Sequence, residues 1–329
     1  MISSDGLFWM NGRLATELLE VSHDPADLQR SGFWAVSTTF EGAFTAARFG
    51  RVAEASFPHH EWKKLEGDWS SSRSEAEYME YVREIRTAIA DGWVYQVNAC
   101  RELSTPLHEG RNLRGLFSEI LVHNPAPWAS YLEIPELNIA SASPELFLKR
   151  YGNKVRTSPI KGTQLPGQRH FGAKDMAENV MIVDLMRNDL GSICKNGSVS
   201  VPRLLASEPH PGLVHLVSDI EAELRDGISW SEIFSALQPP GSISGAPKSS
   251  AVTVIQEHES ARGPYCGALG WVEGDQCELS VAIRIFFKDG SLRFGTGAGI
   301  TWGSDAASEW EETQLKARRL ISIAGGALS

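Results

Sequence analysis

Cysteine is scarce in this chain: four residues in 329, Cys100, Cys194, Cys266 and Cys277, with no CxxC pair among them. Scattered singly, they give no disulfide framework and read as the reduced thiols of a cytoplasmic protein. Long apolar runs are missing as well. No stretch approaches the roughly 20 apolar residues that span a bilayer, so no membrane partner is expected. The N-terminus, Met1-Ile2-Ser3-Ser4-Asp5, lacks the basic region and apolar run of a signal peptide. There is no excess of positive charge: 31 Lys and Arg face 41 Asp and Glu, for a net charge of −10. That balance argues against nucleic acid as a partner. It still allows a small anionic substrate, because a site can be locally positive on an acidic protein. Repeats and low-complexity tracts are absent too.

What is present is an ordinary globular composition, 42% apolar and 22% charged, long enough for one large domain or two smaller ones. Helix signals are clear. Ser74 and Glu77 form a capping box ahead of Tyr78, Val82, Ile85 and Ile89 at helical spacing, and Asp91-Gly92 ends that helix. Asn112 caps a second, stopped by Asn124-Pro125. Helices are also expected over 173–189, from the Ser229/Glu232 capping box to about 237, and over 305–324. Strands are expected near 32–49, 93–103, 130–134, 137–141, 146–155, 198–205, 213–224, 266–273, 278–287 and 291–294, with a linker at 67–72. The C-terminal part mixes antiparallel-type strands with helices and lacks a regular βαβα rhythm, which predicts an α+β class.

Several polar residues sit where chemistry would need them. Lys161 lies in Thr157-Ser158-Pro159-Ile160-Lys161-Gly162-Thr163, read as a loop after a strand, where a lysine is a nucleophile, an anion binder or simply solvated. Glu145 follows Pro144 and would serve as a general acid if burial raised its pKa. Glu178 sits beside the apolar stripe of its helix. Glu312 and Lys316, four apart, share a helix face as an exposed ion pair or as part of a site. Carboxylates from two helices are a common way to hold Mg²⁺. Arg284, read as mid-strand in an apolar run, needs an anionic partner, either a substrate carboxylate or a structural acid. The glycines from 295 to 299 read as a loop before a helix, either a tight turn or an anion cradle. His215 is a lone histidine on an apolar strand, a core residue or a catalyst. Gln96 and Asn98 share one strand face.

Together these strings resemble the chorismate-utilising enzymes: anthranilate synthase component I, aminodeoxychorismate synthase component I, and the isochorismate and salicylate synthases. Tyr95-Gln96-Val97-Asn98, Ser143-Pro144-Glu145, Pro159-Ile160-Lys161-Gly162-Thr163 and the run from Ala177 to Asp189 carry the resemblance. So do His215-Leu216-Val217-Ser218, Gly241 to Lys248, Gly297-Ala298-Gly299-Ile300 and Glu312-Thr313-Gln314-Leu315-Lys316, all in family order. The resemblance implies two facing mixed or antiparallel sheets flanked by helices, with the site between them. Residues 1–72 would be a short N-terminal part of that fold and 73–329 the chorismate-binding catalytic domain. It implies Glu178 and Glu312 as Mg²⁺ ligands, Lys161 as nucleophile and Glu145 as acid, with His215 at the position of a family active-site histidine. It implies substrate contacts from Gln96, Gly162, Thr163, Ser242, Ile243, Arg284, Gly297, Gly299 and Lys316. Water-using relatives carry a lysine base in place of Gln96, so the glutamine implies ammonia as co-substrate. Anthranilate synthases have alanine in place of Lys161, so the lysine implies the aminodeoxychorismate branch leading to 4-aminobenzoate and folate. No Cys-His-Glu glutaminase signature is present, which implies a separate glutamine amidotransferase subunit or free ammonia. No N-terminal serine motif of the kind tied to tryptophan feedback is found, and no lyase domain.

Overall fold

A computed structural model of the chain describes residues 6–164, 167, 171–210 and 213–328. The helices follow their local signals. Ser74 accepts a hydrogen bond from the Glu77 amide, and the Glu77 carboxylate accepts one from the Ser74 amide, opening α1 (Glu75–Ala90). α2 (Arg114–His123) starts later than its signal: Asn112 Oδ1 accepts from the Arg114 amide at 3.2 Å and closes a turn ahead of the helix. α3 (Ala173–Gly191) runs two residues past the predicted end. α4 (Trp230–Leu237) opens on the Ser229/Glu232 capping box. A single turn, α5 (Gly241–Ser244), follows α4. It is followed by α6 (Lys248–His258) and the last helix, α7 (Ala306–Ala324). No helix among the described residues is long and apolar enough to cross a membrane.

The strands form two runs of antiparallel pairs. One run passes from Phe44–Glu54 through Phe33–Thr38, Ala268–Glu273, Gln276–Val281, Leu146–Tyr151 and Lys154–Ser158 to Leu213–Glu223. That last strand also pairs with Ile160–Gln164 and Ser200–His210. The other run passes from Leu7–Met10 through Ser130–Ile134, Leu137–Ser141, Ile285–Asp289, Ser291–Ile300 and Gln96–Thr105 to Leu65–Ser71. Arg13–Ser22 pairs with the first strand of each run and joins them. Gly325–Leu328 adds to Leu65–Ser71 in parallel. The N-terminal strands therefore interleave with strands from the far end of the chain. This is the α+β arrangement of mixed sheet and flanking helices that the pattern predicts.

Four local readings change. The linker expected at 67–72 lies mostly within the strand Leu65–Ser71, which pairs with Gln96–Thr105 and Gly325–Leu328. The glycines from 295 to 299 are not a loop but part of the strand Ser291–Ile300, paired with Gln96–Thr105 along its length. Side chains do not fit there: a Cβ on Gly295 would lie 2.2 Å from the Tyr265 ring. The expected strand over 278–287 breaks in two, and Arg284 occupies the break with φ +54°. Lys161 lies within a strand, Ile160–Gln164, not on a loop.

Packing then fixes the helices that carry the acidic residues. Asn179 donates from Nδ2 to the Leu216 carbonyl at 3.2 Å, tying α3 to the strand Leu213–Glu223. On α7, Thr313 accepts from Arg101 Nε at 3.0 Å, and its carbonyl accepts from Thr296 Oγ1 at 2.8 Å. Buried Ala317, Leu320, Ile321 and Ala324 anchor the rest of α7 against a cluster that includes Trp69, Phe117, Tyr131 and Phe286. Burial of each such large side chain contributes on the order of 2–3 kcal/mol.

Candidate active site

Lys161 is placed by a break in register between Ile160 and Thr163 where their strand meets Leu213–Glu223. Gly162 sits in that break at φ +90°, a conformation that favours glycine. Lys161 Nζ donates to the Ser242 carbonyl at 2.9 Å, and Asn98 Nδ2 donates to the same oxygen at 2.9 Å. The lysine is half-buried. Burial lowers its pKa, while the carboxylates of Glu145, Glu178 and Glu312 hold it up.

Glu145 is 4% exposed. Its backbone is fixed by a hydrogen bond from the Val281 amide to its carbonyl at 3.0 Å, and the Ser143 hydroxyl donates to the Val281 carbonyl at 2.6 Å. Burial pushes the Glu145 carboxyl up to about 7; the Ser242 hydroxyl, Lys161, Lys316 and Arg284 keep it from rising further. The Ser242 hydroxyl makes no hydrogen bond of good geometry, so its hold on Glu145 is loose. Arg284 makes no side-chain hydrogen bond or ion pair among the described residues. Burial lowers its pKa and Glu145 opposes that, so its partner is a longer-range charge. Its left-handed backbone costs of order 1–3 kcal/mol, a cost usually found where function demands it.

The acidic side of the site comes from α3 and α7. Burial raises the pKa of Glu178, opposed by Lys161 and Lys174. Its Oε1 is buried without a hydrogen bond, and the nearest cation, Lys174 Nζ, stands 3.8 Å away, an ion-pair distance only. Glu312 pairs with Lys316 at 2.7 Å, and that ammonium lowers its pKa. Lys316 also donates to the Gly297 carbonyl at 2.9 Å. The motif reading missed Glu309, which is 3% exposed and three residues before Glu312 on the same helix face. Lys174 Nζ lies 3.1 Å from its Oε1. Among the described residues no three His, Cys, Asp or Glu side chains converge tightly enough to hold a metal by themselves. The orphaned Glu178 oxygen and the two-helix donor set fit a hard cation whose shell is completed by substrate and water oxygens.

The other predicted residues spread around this centre. Gln96 is fully buried, yet neither amide atom has a hydrogen bond. Its Nε2 would lie 2.7 Å from a Cβ on Gly299, so glycine makes room for it. Such an orphaned amide costs about 1–3 kcal/mol unless something completes it. The Ile243 carbonyl accepts from Arg262 Nη1 at 3.1 Å. His215 is 2% exposed and stands opposite Thr163 in register. The Thr163 side chain lies outside the described residues. Arg262 is a second residue that the sequence did not flag. Buried and paired with Glu259 at 2.7 Å, it also donates to the Asn98 carbonyl at 2.8 Å, so it clamps α5 to the strand bearing Gln96 and Asn98. Apart from Glu259, three residues earlier, its partners are tertiary, so no local pattern marks its role in holding α5.

A lysine of lowered pKa, a buried acid and carboxylates on two helices thus share one centre. Residues 34–322 match the family described as chorismate binding enzyme. The chain belongs to that family. Relatives include anthranilate synthase component 1 of Neisseria meningitidis serogroup B, 38% identical over 262 residues, 74% of this chain and 52% of that protein. Aminodeoxychorismate synthase component 1 of Escherichia coli is 34% identical over 289 residues, 84% of this chain and 63% of that protein. The chain therefore spans about half to two-thirds of the length of these relatives. Among solved structures, a 2,3-dihydroxybenzoate-specific isochorismate synthase of Bacillus anthracis superposes with a TM-score of 0.82 at 20% identity, covering 97% of this chain and 96% of that one. Anthranilate synthase component I of Streptococcus pneumoniae gives 0.78 at 21%, covering 96% and 89%. These structures share the fold of this member of the chorismate binding enzymes.

Proposed function

We propose that the chain is an aminodeoxychorismate synthase component I, converting chorismate and ammonia to 4-amino-4-deoxychorismate and water. The observation that carries the reading is Lys161: a half-buried amine of lowered pKa, beside an acid at about 7. As a neutral amine, Lys161 adds to ring C2 while the double bonds shift and the C4 hydroxyl leaves. Hydroxide is a poor leaving group, and protonated Glu145 supplies its proton. Ammonia then attacks C4, the bonds shift back, and the C2–N bond to Lys161 breaks. Glu145 takes the proton that the new ammonium group sheds. Arg284 and Lys316 bring positive charge to a dianionic substrate. Glu178 and Glu312 would hold Mg²⁺, which would offset carboxylate repulsion and orient the ring carboxylate. Gln96, lacking a base's proton affinity, suits ammonia better than water. The ammonia would come from solution or from a separate glutamine amidotransferase subunit.

The second reading, amination at C2 as in an anthranilate synthase component I or a 2-amino-2-deoxyisochorismate synthase, is favoured by relatives of that name at 38% identity. A non-catalytic chorismate-binding subunit is disfavoured by the intact Glu145, Lys161, Glu178 and Glu312. Product analysis decides among them. Purified protein with chorismate, Mg²⁺ and ammonium should give 4-amino-4-deoxychorismate by mass spectrometry and NMR. Only 2-amino products or isochorismate would overturn the proposal, and binding without turnover even with a glutaminase partner would favour the third reading. Lys161→Ala should abolish or divert C4 amination in a folded protein; unchanged product and rate would remove the lysine from the mechanism.

A further inference from the structure

Lys174 is the side chain that faces both acidic helices. It projects from the first turn of α3, and its Nζ lies 3.1 Å from Glu309 on α7 and 3.8 Å from Glu178 on its own helix. Glu309 is 3% exposed, and no other side-chain hydrogen bond or ion pair to its carboxylate is seen among the described residues. A buried carboxylate needs a nearby positive charge, and here a flexible lysine supplies it. Lys174 is half-exposed, so its stem can swing into solvent at little cost. Glu309 and Glu312 on α7 and Glu178 on α3 are the charged groups acting on it, while Lys161 acts on Glu178 and Lys316 pairs with Glu312. The positive centre of Lys174 therefore stands beside the carboxylates assigned above to a hard cation.

We propose that Lys174 is a built-in counter-cation: it neutralises the acidic cluster when no metal is bound, and a divalent cation must displace it to enter. The inference rests on the Mg²⁺ reading of Glu178 and Glu312 and adds an exchange step to it. No bond is made or broken, only one cation replaced by another. The arrangement sets metal affinity low in the free enzyme and offsets the mutual repulsion of the two helices' carboxylates when no metal is bound.

The test is titration calorimetry with Mg²⁺ alone, without substrate, on wild type, Lys174→Met and Lys174→Arg, with thermal melts of each in chelator. Relief of competition from a half-exposed ion pair should tighten Mg²⁺ binding by about fivefold in Lys174→Met. Lys174→Arg, which keeps the charge, should bind as wild type. In chelator Lys174→Met should melt below wild type, and saturating Mg²⁺ should close that gap. If wild type binds Mg²⁺ and Lys174→Met binds equally or more weakly, the exchange role is overturned while the metal reading stands. If no protein binds Mg²⁺ alone, the same comparison is made with chorismate present; if Glu178→Gln then binds Mg²⁺ as wild type does, or no protein binds it, the metal reading fails and takes the inference with it.

Discussion

Replacing Glu145 by glutamine removes one titration and keeps the shape. Burial holds the Glu145 carboxyl at about 7 against an ordinary 4.5. The unfolded chain sheds this proton near pH 4.5, whereas the folded protein keeps it until about pH 7. Between those values the folded state binds more protons, so this group's contribution to stability falls as pH rises. At about 1.4 kcal/mol per tenfold change, the full loss is on the order of 3 kcal/mol, complete above pH 7. The residue is 4% exposed, so solvent screening takes little from that figure. The observable is a difference between proteins, in which other titrating groups largely cancel. Urea unfolding of wild type and Glu145→Gln at pH 5, 6, 7 and 8 should show the variant gaining on wild type by roughly 2–3 kcal/mol from the lowest pH to the highest. The value of about 7 already includes the favourable charges of Lys161, Lys316 and Arg284. Parallel stability profiles for the two proteins across this range would refute a raised Glu145 pKa, and with it the physical basis for calling Glu145 an acid.

The same titration should shape activity: the kcat/KM profile should show an inflection near pH 7, where Glu145 loses its proton, and Glu145→Gln should abolish it. A rate flat through pH 7 would remove Glu145 from proton transfer. Arg262→Ala strands a buried Glu259 and should cost about 3–5 kcal/mol by urea unfolding, with Arg262→Lys recovering part of it; a loss under about 1 kcal/mol would mean the pair is not what holds α5. Gly299→Ala puts a methyl 2.7 Å from Gln96 Nε2 and should cost about 1–3 kcal/mol while raising KM, measured by unfolding and steady-state kinetics.

Much of this molecule was legible where local signals decide. The capping boxes at Ser74 and Ser229 opened the helices they predict, because each satisfies its own backbone amides within one turn. The family strings placed Lys161, Glu145, Glu178 and Glu312 in one region of the chain's fold, and electrostatics couples Lys161 to all three acids. The errors share a cause. Glycine-rich 295–299 reads as a loop by propensity, yet close approach of Tyr265, Cys100 and Gln96 across the sheet demands glycine within a strand. Arg284 reads as strand by its apolar neighbours, yet its backbone turns left-handed at a break between two strands. Glu309 and Arg262 were invisible because the contacts from Lys174 to Glu309 and from Arg262 to the Asn98 carbonyl join residues more than a hundred positions apart.

Those errors cluster at the site for a reason. A strand whose pattern runs unbroken presents side chains alternately to two faces and cannot turn one toward a point. Here the register break at Ile160 to Thr163, the positive φ of Gly162 and the positive φ of Arg284 each spoil local regularity, and each lies beside a charged group of the site. Gln96 adds an unsatisfied buried amide on the neighbouring run of strands. Every one of these features is unfavourable for folding alone, and the two hydrophobic clusters around them carry the cost. Had the strands been regular, Lys161 and Arg284 would each have been held by ladder geometry, with no freedom to meet Glu145 from different strands. Irregularity in the strands is thus the structural means by which charges from distant parts of the sequence face one another, and it is why a reading tuned to regular patterns fails first at the residues of the candidate site.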